Sequence, residues 1–407
     1  MREIIWITWL AVVLTGCQTT QQFDVGTRPQ FLVSQLSAGE LKTKLESCLD
    51  KPVKRTQFSI GHRGAPLFYP EHTKESYLAA AKMGAGTLEC DVTFTKDKKL
   101  VCRHAQCDLH ATTDILLQPK LASKCRQPFT PADPDSGIPA SAQCCTSDIT
   151  LAEFKQLKGK MDGVNNQATT VAEFVKGTPN WRTDLYASSG TLMTHSESIA
   201  LFKQLAVNMT PELKAPEVPM PFNGLSQSQL AQKMLDEYSE HNVLPSQVFP
   251  QSFSYQDIQY WIKHAPEFAN NAVFLDGREA SERFDINSPS TWQPSMDDLV
   301  QDQVKIIAPP IWMLITSDKN GDIVPSQYAL AAKRAGLKII AWSLERSGPL
   351  ANGGGWYYQS VNNAIKNDGD ILKVLDILAK QVGVVAVFSD WPTTTSFYAS
   401  CMGINSN

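Results

Sequence analysis

Seven short apolar, β-rich runs recur along this chain, at 58–61, 87–92, 248–249, 272–275, 305–308, 338–342 and 384–388, with helical patterns between several of them. The runs do not alternate apolar with polar residues, which is the pattern of strands covered on both faces and therefore of a parallel sheet. The clearest helical patterns cover 74–82, 226–241 and 325–335, and Gly336 stops the last of these just before a strand. Strand and helix alternating over this length predict an α/β fold, and about eight such units predict a TIM (β/α)8 barrel. Chemistry in a barrel belongs at the C-terminal ends of the strands. His62 after Ile60, Asp276 after Leu275 and Asp390 after Phe388 fall there.

The 407 residues are 43% hydrophobic and 19% charged, enough to bury a large core. A formal net charge of -4 gives no basic face for a nucleic acid backbone, so no nucleic acid partner is expected. Arg2 precedes an apolar run at 4–14 that is too short to span a bilayer, and Leu14-Thr15-Gly16-Cys17 then leads into polar residues. This segment resembles a bacterial lipoprotein signal. That likeness implies cleavage before Cys17, acylation of Cys17, and anchoring in a bacterial cell envelope on the periplasmic side of the outer membrane; a plain secretory signal with an incidental cysteine is the alternative. Nine cysteines less Cys17 leave an even number in an exported chain, so disulfides are expected, with about 105 pairings open. No paired Cys-x-x-Cys knuckles suggest zinc. The expected organisation is a signal peptide at 1–16, a lipid-anchored spacer at 17–57, a barrel at 58–397 and a tail at 398–407. Within the barrel, the Cys-, Pro- and Ser-rich stretch at about 105–206 reads as an insertion over the C-terminal mouth.

The densest constellation of polar residues runs from Gly61 to His104. Glu89 and Asp91 sit two apart on an extended strand, so both carboxylates point to one face. The polar stretch 96–99 reads as a turn that returns the chain, setting Glu89 roughly opposite His104 and Asp91 opposite Cys102. His62 joins them from the preceding strand. A pair of histidines beside carboxylates suits phosphodiester cleavage, which needs one group to take a proton and another to give one. Carboxylates favour a hard divalent cation, Ca2+ or Mg2+, that offsets phosphoryl charge. Glu212 is the third candidate ligand, and Lys214 shares its face.

These residues together resemble the glycerophosphodiester phosphodiesterase family. The matches are His62-Arg63-Gly64, Pro70-Glu71-His72-Thr73, Glu89-Cys90-Asp91-Val92, Thr95-Lys96-Asp97 and Val101 to His104, followed by Glu212 with Lys214, Gln251-Ser252-Phe253, Trp342-Ser343 and Ser389-Asp390-Trp391-Pro392. The resemblance implies a TIM barrel that hydrolyses glycerophosphodiesters to glycerol phosphate and an alcohol through a cyclic phosphate. It implies His62 and His104 as general acid and base, and Glu89, Asp91 and Glu212 as ligands of a divalent cation. Arg63 and Lys214 would meet the phosphate, Trp342 would line the pocket, and Glu71 would lie at or next to the ligands.

The chain departs from the family pattern in three places, one of them the later Leu-x-Arg-x-Thr, which here reads Leu109-His110-Ala111-Thr112. Ala105 stands where the family has an aspartate after the second histidine, and Leu344-Glu345 replaces the usual asparagine after the Trp motif. The missing aspartate lends some weight to a competing reading, a lipid-anchored binding barrel without turnover. Other residues are expected to be bystanders. His72 and His110 read as structural or rim residues, His241 and His264 as surface, and Arg182 and Asp184 as braces of the insertion. His195 is undecided, and the loop 353–358 either touches substrate or packs.

Overall fold

The computed structural model describes residues 23–187 and 190–404, so the signal and Cys17 readings lie outside the described residues. Eight strands run parallel: β1 (Thr56–Gly61), β2 (Ala85–Phe94), β3 (Asn208–Leu213), β4 (Gln251–Ser252), β5 (Val273–Leu275), β6 (Ile306–Ala308), β7 (Lys338–Ala341) and β8 (Ala386–Ser389). Each pairs with the next, and β8 pairs with β1, closing the expected TIM barrel. Ile60, Val273, Leu275, Ile306, Ala308, Ile340, Ala386 and Phe388 fill the interior, while alternate residues such as Leu88, Ile307 and Val387 pack under the helices. Burial on both faces explains why the strands read as unbroken apolar runs. Among the described residues no helix is long and apolar enough to cross a membrane.

Three sequence boundaries change. Residues from 28 onward do not form a spacer: helices Arg28–Gln35 and Glu40–Glu46 bury Leu32, Val33 and Leu45 against the barrel. The segment from 398 is not a tail, because helix Thr393–Met402 buries Phe397 and Tyr398, and a Cys48–Cys401 disulfide ties the two ends together. Helix His195–Leu205 is the crossover between β2 and β3, so the insertion proper ends before it.

The hairpin register also differs by one residue. Val92 faces Cys102 and Phe94 faces Leu100, so Asp91 is not opposite Cys102. The loop is 95–99, closed by the Thr95 N–H donating to Lys99 O at 2.9 Å, with Lys98 left-handed at φ 58°. A one-residue slip reverses the faces of the returning strand, Leu100–Cys102. His104 nonetheless reaches the mouth because the ladder ends at Cys102 and the chain leaves the sheet.

The insertion has a small core of its own, including Leu109, Ile115, Phe154 and Phe174. Cys107–Cys145 and Cys125–Cys144 staple it, and Cys90–Cys102 staples the hairpin. Closing loops of 38 and 19 residues stabilises each by about 3–4 kcal/mol through the unfolded state. Mass mapping under non-reducing conditions is expected to recover these pairs. Mild reductant should raise proteolysis within 105–194 before the barrel is cut, and free thiols at all four insertion positions in untreated protein would contradict the pairing.

Candidate active site

The C-terminal ends of β1, β2, β3, β4 and β7 bring their side chains into one cavity of about 220 Å³. Its lining includes His62, Arg63, Glu89, His104, Glu212, Lys214 and Trp342, so seven of the eight expected site residues meet there. Asp91, the eighth, lies beneath: its carboxylate, with those of Glu89 and Glu212, offers oxygen atoms all within 4.8 Å of one another.

The turn after β1 shapes the site. Arg63 adopts a left-handed φ of 57°, uncommon for a non-glycine residue, and Gly64 follows at 90°, where a side chain would strike Ser76. This turn aims the Arg63 N–H at Glu89 Oε2 at 2.9 Å and its guanidinium at Glu71 at 2.9 Å. His62 Nδ1 sits 2.5 Å from Asp390 Oδ1 and 3.2 Å from Ser343 Oγ, leaving Nε2 free 3.9 Å from Glu89. An imidazole held by a carboxylate at Nδ1 presents an unprotonated Nε2 when neutral.

His104 lies with Glu71 and Asp108, their ligand atoms within 4.8 Å of one another. Asp108 Oδ2 accepts from the Ala105 N–H at 3.1 Å, and burial pushes its pKa up to about 6. A carboxylate therefore stands beside His104 from position 108, although position 105 lacks one. Glu71 is separate from the carboxylate triad and is held by Arg63 and by Arg346 at 3.2 Å.

The residues fit a divalent cation. Asp91 Oδ1 is buried without a hydrogen-bond partner, while Oδ2 is held by His72 at 2.9 Å. An orphaned carboxylate oxygen is costly unless something binds it. Burial pushes Glu89 well above the usual carboxyl range, with Asp91 and Glu212 adding repulsion. Burial likewise raises Glu212 to about 7, against the pull of Lys214 at 2.5 Å. Burial acts on Asp91 too, but His72 and Lys214 together outweigh it and hold that carboxyl low.

In metal-free protein Glu89 and Glu212 bind protons more tightly folded than unfolded. Glu212's contribution to stability is therefore present below 4.5 and lost as pH rises through about 7, and Glu89's is lost as pH rises through its own raised pKa. Protons and cation compete for the same oxygens, so cation affinity should climb by up to about tenfold per pH unit per released proton across that window. Calorimetric titration of Ca2+ or Mg2+ at pH 5 and pH 8 checks this, and equal affinity at both would contradict the ligand set.

Some functional residues carry no local sequence signal. Arg346 bridges Asp390 at 3.3 Å, Glu71 at 3.2 Å and the insertion's Asp162 at 3.3 Å. Asp162 also meets Arg182 at 2.5 Å within the insertion, and Arg182 donates to Pro66 O, which ties the insertion to the segment after β1. Gln251, from the motif Gln251-Ser252-Phe253 that the sequence did show, donates to Glu89 Oε1 at 2.8 Å. Asp276, at a strand end, is instead tied up by Arg278 at 2.6 Å and by Tyr328. His72 is structural, bridging Asp91 and Tyr77, and His195 packs on Glu237 and Tyr238. Tyr357, from the loop 353–358, lines the cavity.

Two imidazoles and two fixed cations near a carboxylate triad make an arrangement suited to phosphodiester hydrolysis. The chain belongs to the Glycerophosphoryl diester phosphodiesterase family, whose profile matches residues 62–394, and it is a glycerophosphodiester phosphodiesterase. It is 48% identical over 249 residues, 60% of this chain and all of the relative, to an Arthroderma benhamiae protein named "Extracellular protein". It is 27% identical over 179 residues to the Arabidopsis thaliana glycerophosphodiester phosphodiesterase GDPD6, covering 43% of this chain and 42% of that one. Among solved structures, a Silicibacter pomeroyi DSS-3 protein assigned the same activity superposes with a TM-score of 0.56 at 17% identity. That superposition covers 89% of this chain and 99% of the other, and supports the fold.

Proposed function

We propose that this barrel cleaves glycerophosphodiesters by a cation-assisted route in which His62 and His104 divide the proton transfers. The observation that carries the reading is the single cavity holding both imidazoles, Arg63, Lys214 and two of the three carboxylates. Glu89, Asp91 and Glu212 would hold the cation, Ca2+ or Mg2+, which when bound offsets charge on the phosphoryl oxygens. Arg63 and Lys214 seat the phosphate. His62, with Nδ1 committed to Asp390, takes a proton from the glycerol hydroxyl at Nε2. His104 gives a proton to the leaving alcohol. Burial, Arg63 and Lys214 hold His104 well below the usual imidazole range; a phosphate seated on those two cations offsets their part of that shift, which favours the protonated form the acid needs. The glycerol hydroxyl attacks phosphorus, the alcohol departs, and water then opens the cyclic phosphate.

Phosphorus NMR tests the route. Glycerol 1,2-cyclic phosphate is expected to be hydrolysed, and a diester whose glycerol hydroxyls are methylated to be left intact. Cleavage of the methylated diester at the normal rate would overturn attack by the neighbouring hydroxyl.

The bacterial lipoprotein reading is a further proposal. It is supported by Leu14-Thr15-Gly16-Cys17, and the disulfides between Cys48 and Cys401 and within the hairpin and insertion accord with export. The fungal origin of the Arthroderma benhamiae relative weighs for secretion without a bacterial anchor. On expression in a bacterium, Cys17→Ser is expected to move the protein from the membrane fraction to the soluble one. A wild-type protein already soluble would leave plain secretion as the reading.

A further inference from the structure

The cavity lining is not ionic throughout. Phe253, Trp342 and Tyr357, with Leu275 and Phe388, share it with the charged groups, and Phe388 meets His62 edge to face at 5.8 Å. Phe253 meets Trp342 edge to face, with centroids 5.8 Å apart and planes at 90°, and Trp342 meets Tyr357 at 5.7 Å and 79°. Trp356 stacks on Trp342 at 5.7 Å and 29°, and stands perpendicular to Tyr357 at 5.0 Å. The rings thus turn their faces in several directions around one corner of the mouth. Gly353, Gly354 and Gly355, left-handed at φ 87°, 70° and 57°, form the turn that delivers Trp356 and Tyr357 to this corner. Phe253 and Trp356 remain 42% and 43% exposed, so they are open to a ligand.

We propose that this aromatic corner binds a quaternary ammonium head group on the alcohol side of the diester; this rests on the reading that the mouth cleaves glycerophosphodiesters. Cations are drawn to the faces of aromatic rings by the ring quadrupole, most strongly to Trp. Phe253 already faces one, with Lys214 Nζ 6.0 Å from its centroid. The chemistry selects among cations. Trp342 donates its Nε1–H to Ala308 O at 2.7 Å, which pins the ring and leaves it no donor for substrate. Phe253 has no polar atom, so of the three rings lining the cavity only the Tyr357 hydroxyl is free to hydrogen-bond. A primary ammonium gives up part of its water shell to rings that offer few acceptors, whereas a trialkylated nitrogen has no N–H to satisfy and meets the rings with its methyl groups. With the divalent cation seated, Glu71, Glu89, Asp91, Glu212 and Asp390 balance Arg63, Lys214, Arg346 and the cation, so the field is near neutral and the diester's own phosphate charge favours a cationic head group.

Three glycerophosphodiesters test this: the choline ester, the ethanolamine ester, and the 3,3-dimethylbutyl ester, in which carbon replaces the charged nitrogen at constant shape. Choline is expected to exceed both others in kcat/KM on the order of tenfold. Trp356→Leu and Phe253→Leu should each draw the choline-to-dimethylbutyl ratio toward one. Choline alone should inhibit wild-type turnover of a nitrophenyl glycerophosphodiester more strongly than 3,3-dimethylbutanol, a readout that needs no variant. Equal kcat/KM for choline and dimethylbutyl esters, with equal inhibition by the two alcohols, would overturn the cation site while leaving the hydrolase intact. Failure to cleave any of the three would overturn the hydrolase reading and this one with it.

Discussion

Loss of any one carboxylate from Glu89, Asp91 and Glu212 is expected to lower turnover on the order of a thousandfold, the several kcal/mol a bound cation supplies to a phosphoryl transition state. The three are not equivalent. Glu89 also accepts from the Arg63 N–H and from Gln251, so Glu89→Ala loosens the β1 turn as well as the cation. Asp91→Asn is the cleaner substitution, because an amide oxygen turned toward His72 keeps an acceptor at the Oδ2 position while a charge is lost. Glu212→Gln frees Lys214 and should weaken cation binding with the phosphate grip retained. Cation affinity by calorimetry and steady-state rates in parallel separate these effects. Unchanged cation affinity in Asp91→Asn would remove that residue from the ligand set.

The histidine variants carry the second large effect. His62→Ala and His104→Ala are each expected to reduce cleavage of an alkyl diester by about 10²–10⁴-fold, with cation affinity nearly intact. A nitrophenyl ester leaves without a proton, so it should restore the rate of His104→Ala and not that of His62→Ala. The assignment follows from Asp390, which fixes the His62 tautomer at 2.5 Å. Asp390→Asn should therefore behave as a weakened base, losing kcat with KM little changed. Rescue of His62→Ala instead would exchange the two roles, and near-normal activity in either alanine variant would dismiss the two-histidine route.

The barrel is legible because strands covered on both faces are apolar throughout, and that signature survives in a single sequence. The weakest strand signals belong to β3 and β4. β3 carries the polar Thr210 and Glu212 among its buried residues, and only Gln251–Ser252 of β4 pair as strand. The site's ligands are legible because Glu89, Asp91, Glu212 and Lys214 keep strict two-residue spacing on strands or at their ends. The hairpin register is not, since it depends on a left-handed Lys98 that no residue preference announces. Helix Arg28–Gln35 hides a narrow apolar stripe in polar surroundings, and helix Thr393–Met402 buries Thr393, Thr394, Thr395 and Ser396 along with Phe397 and Tyr398, so neither announces its burial in the sequence. Arg346 and Asp162 meet across 184 residues, a pairing that only tertiary structure reveals. Asp108 lies four residues beyond His104, and its approach to that imidazole depends on the turn the chain takes after leaving the sheet.

The central claim is that this mouth, loaded with a divalent cation, converts a glycerophosphodiester to glycerol phosphate and an alcohol. The direct measurement is glycerol phosphate released from glycerophosphocholine by chelator-stripped protein as Ca2+ or Mg2+ is added back. Release should be near zero in chelator and rise saturably with one of these cations, and the Asp91→Asn variant should not follow it. Full release in excess chelator, or none at any cation concentration from folded wild-type protein, would contradict the account.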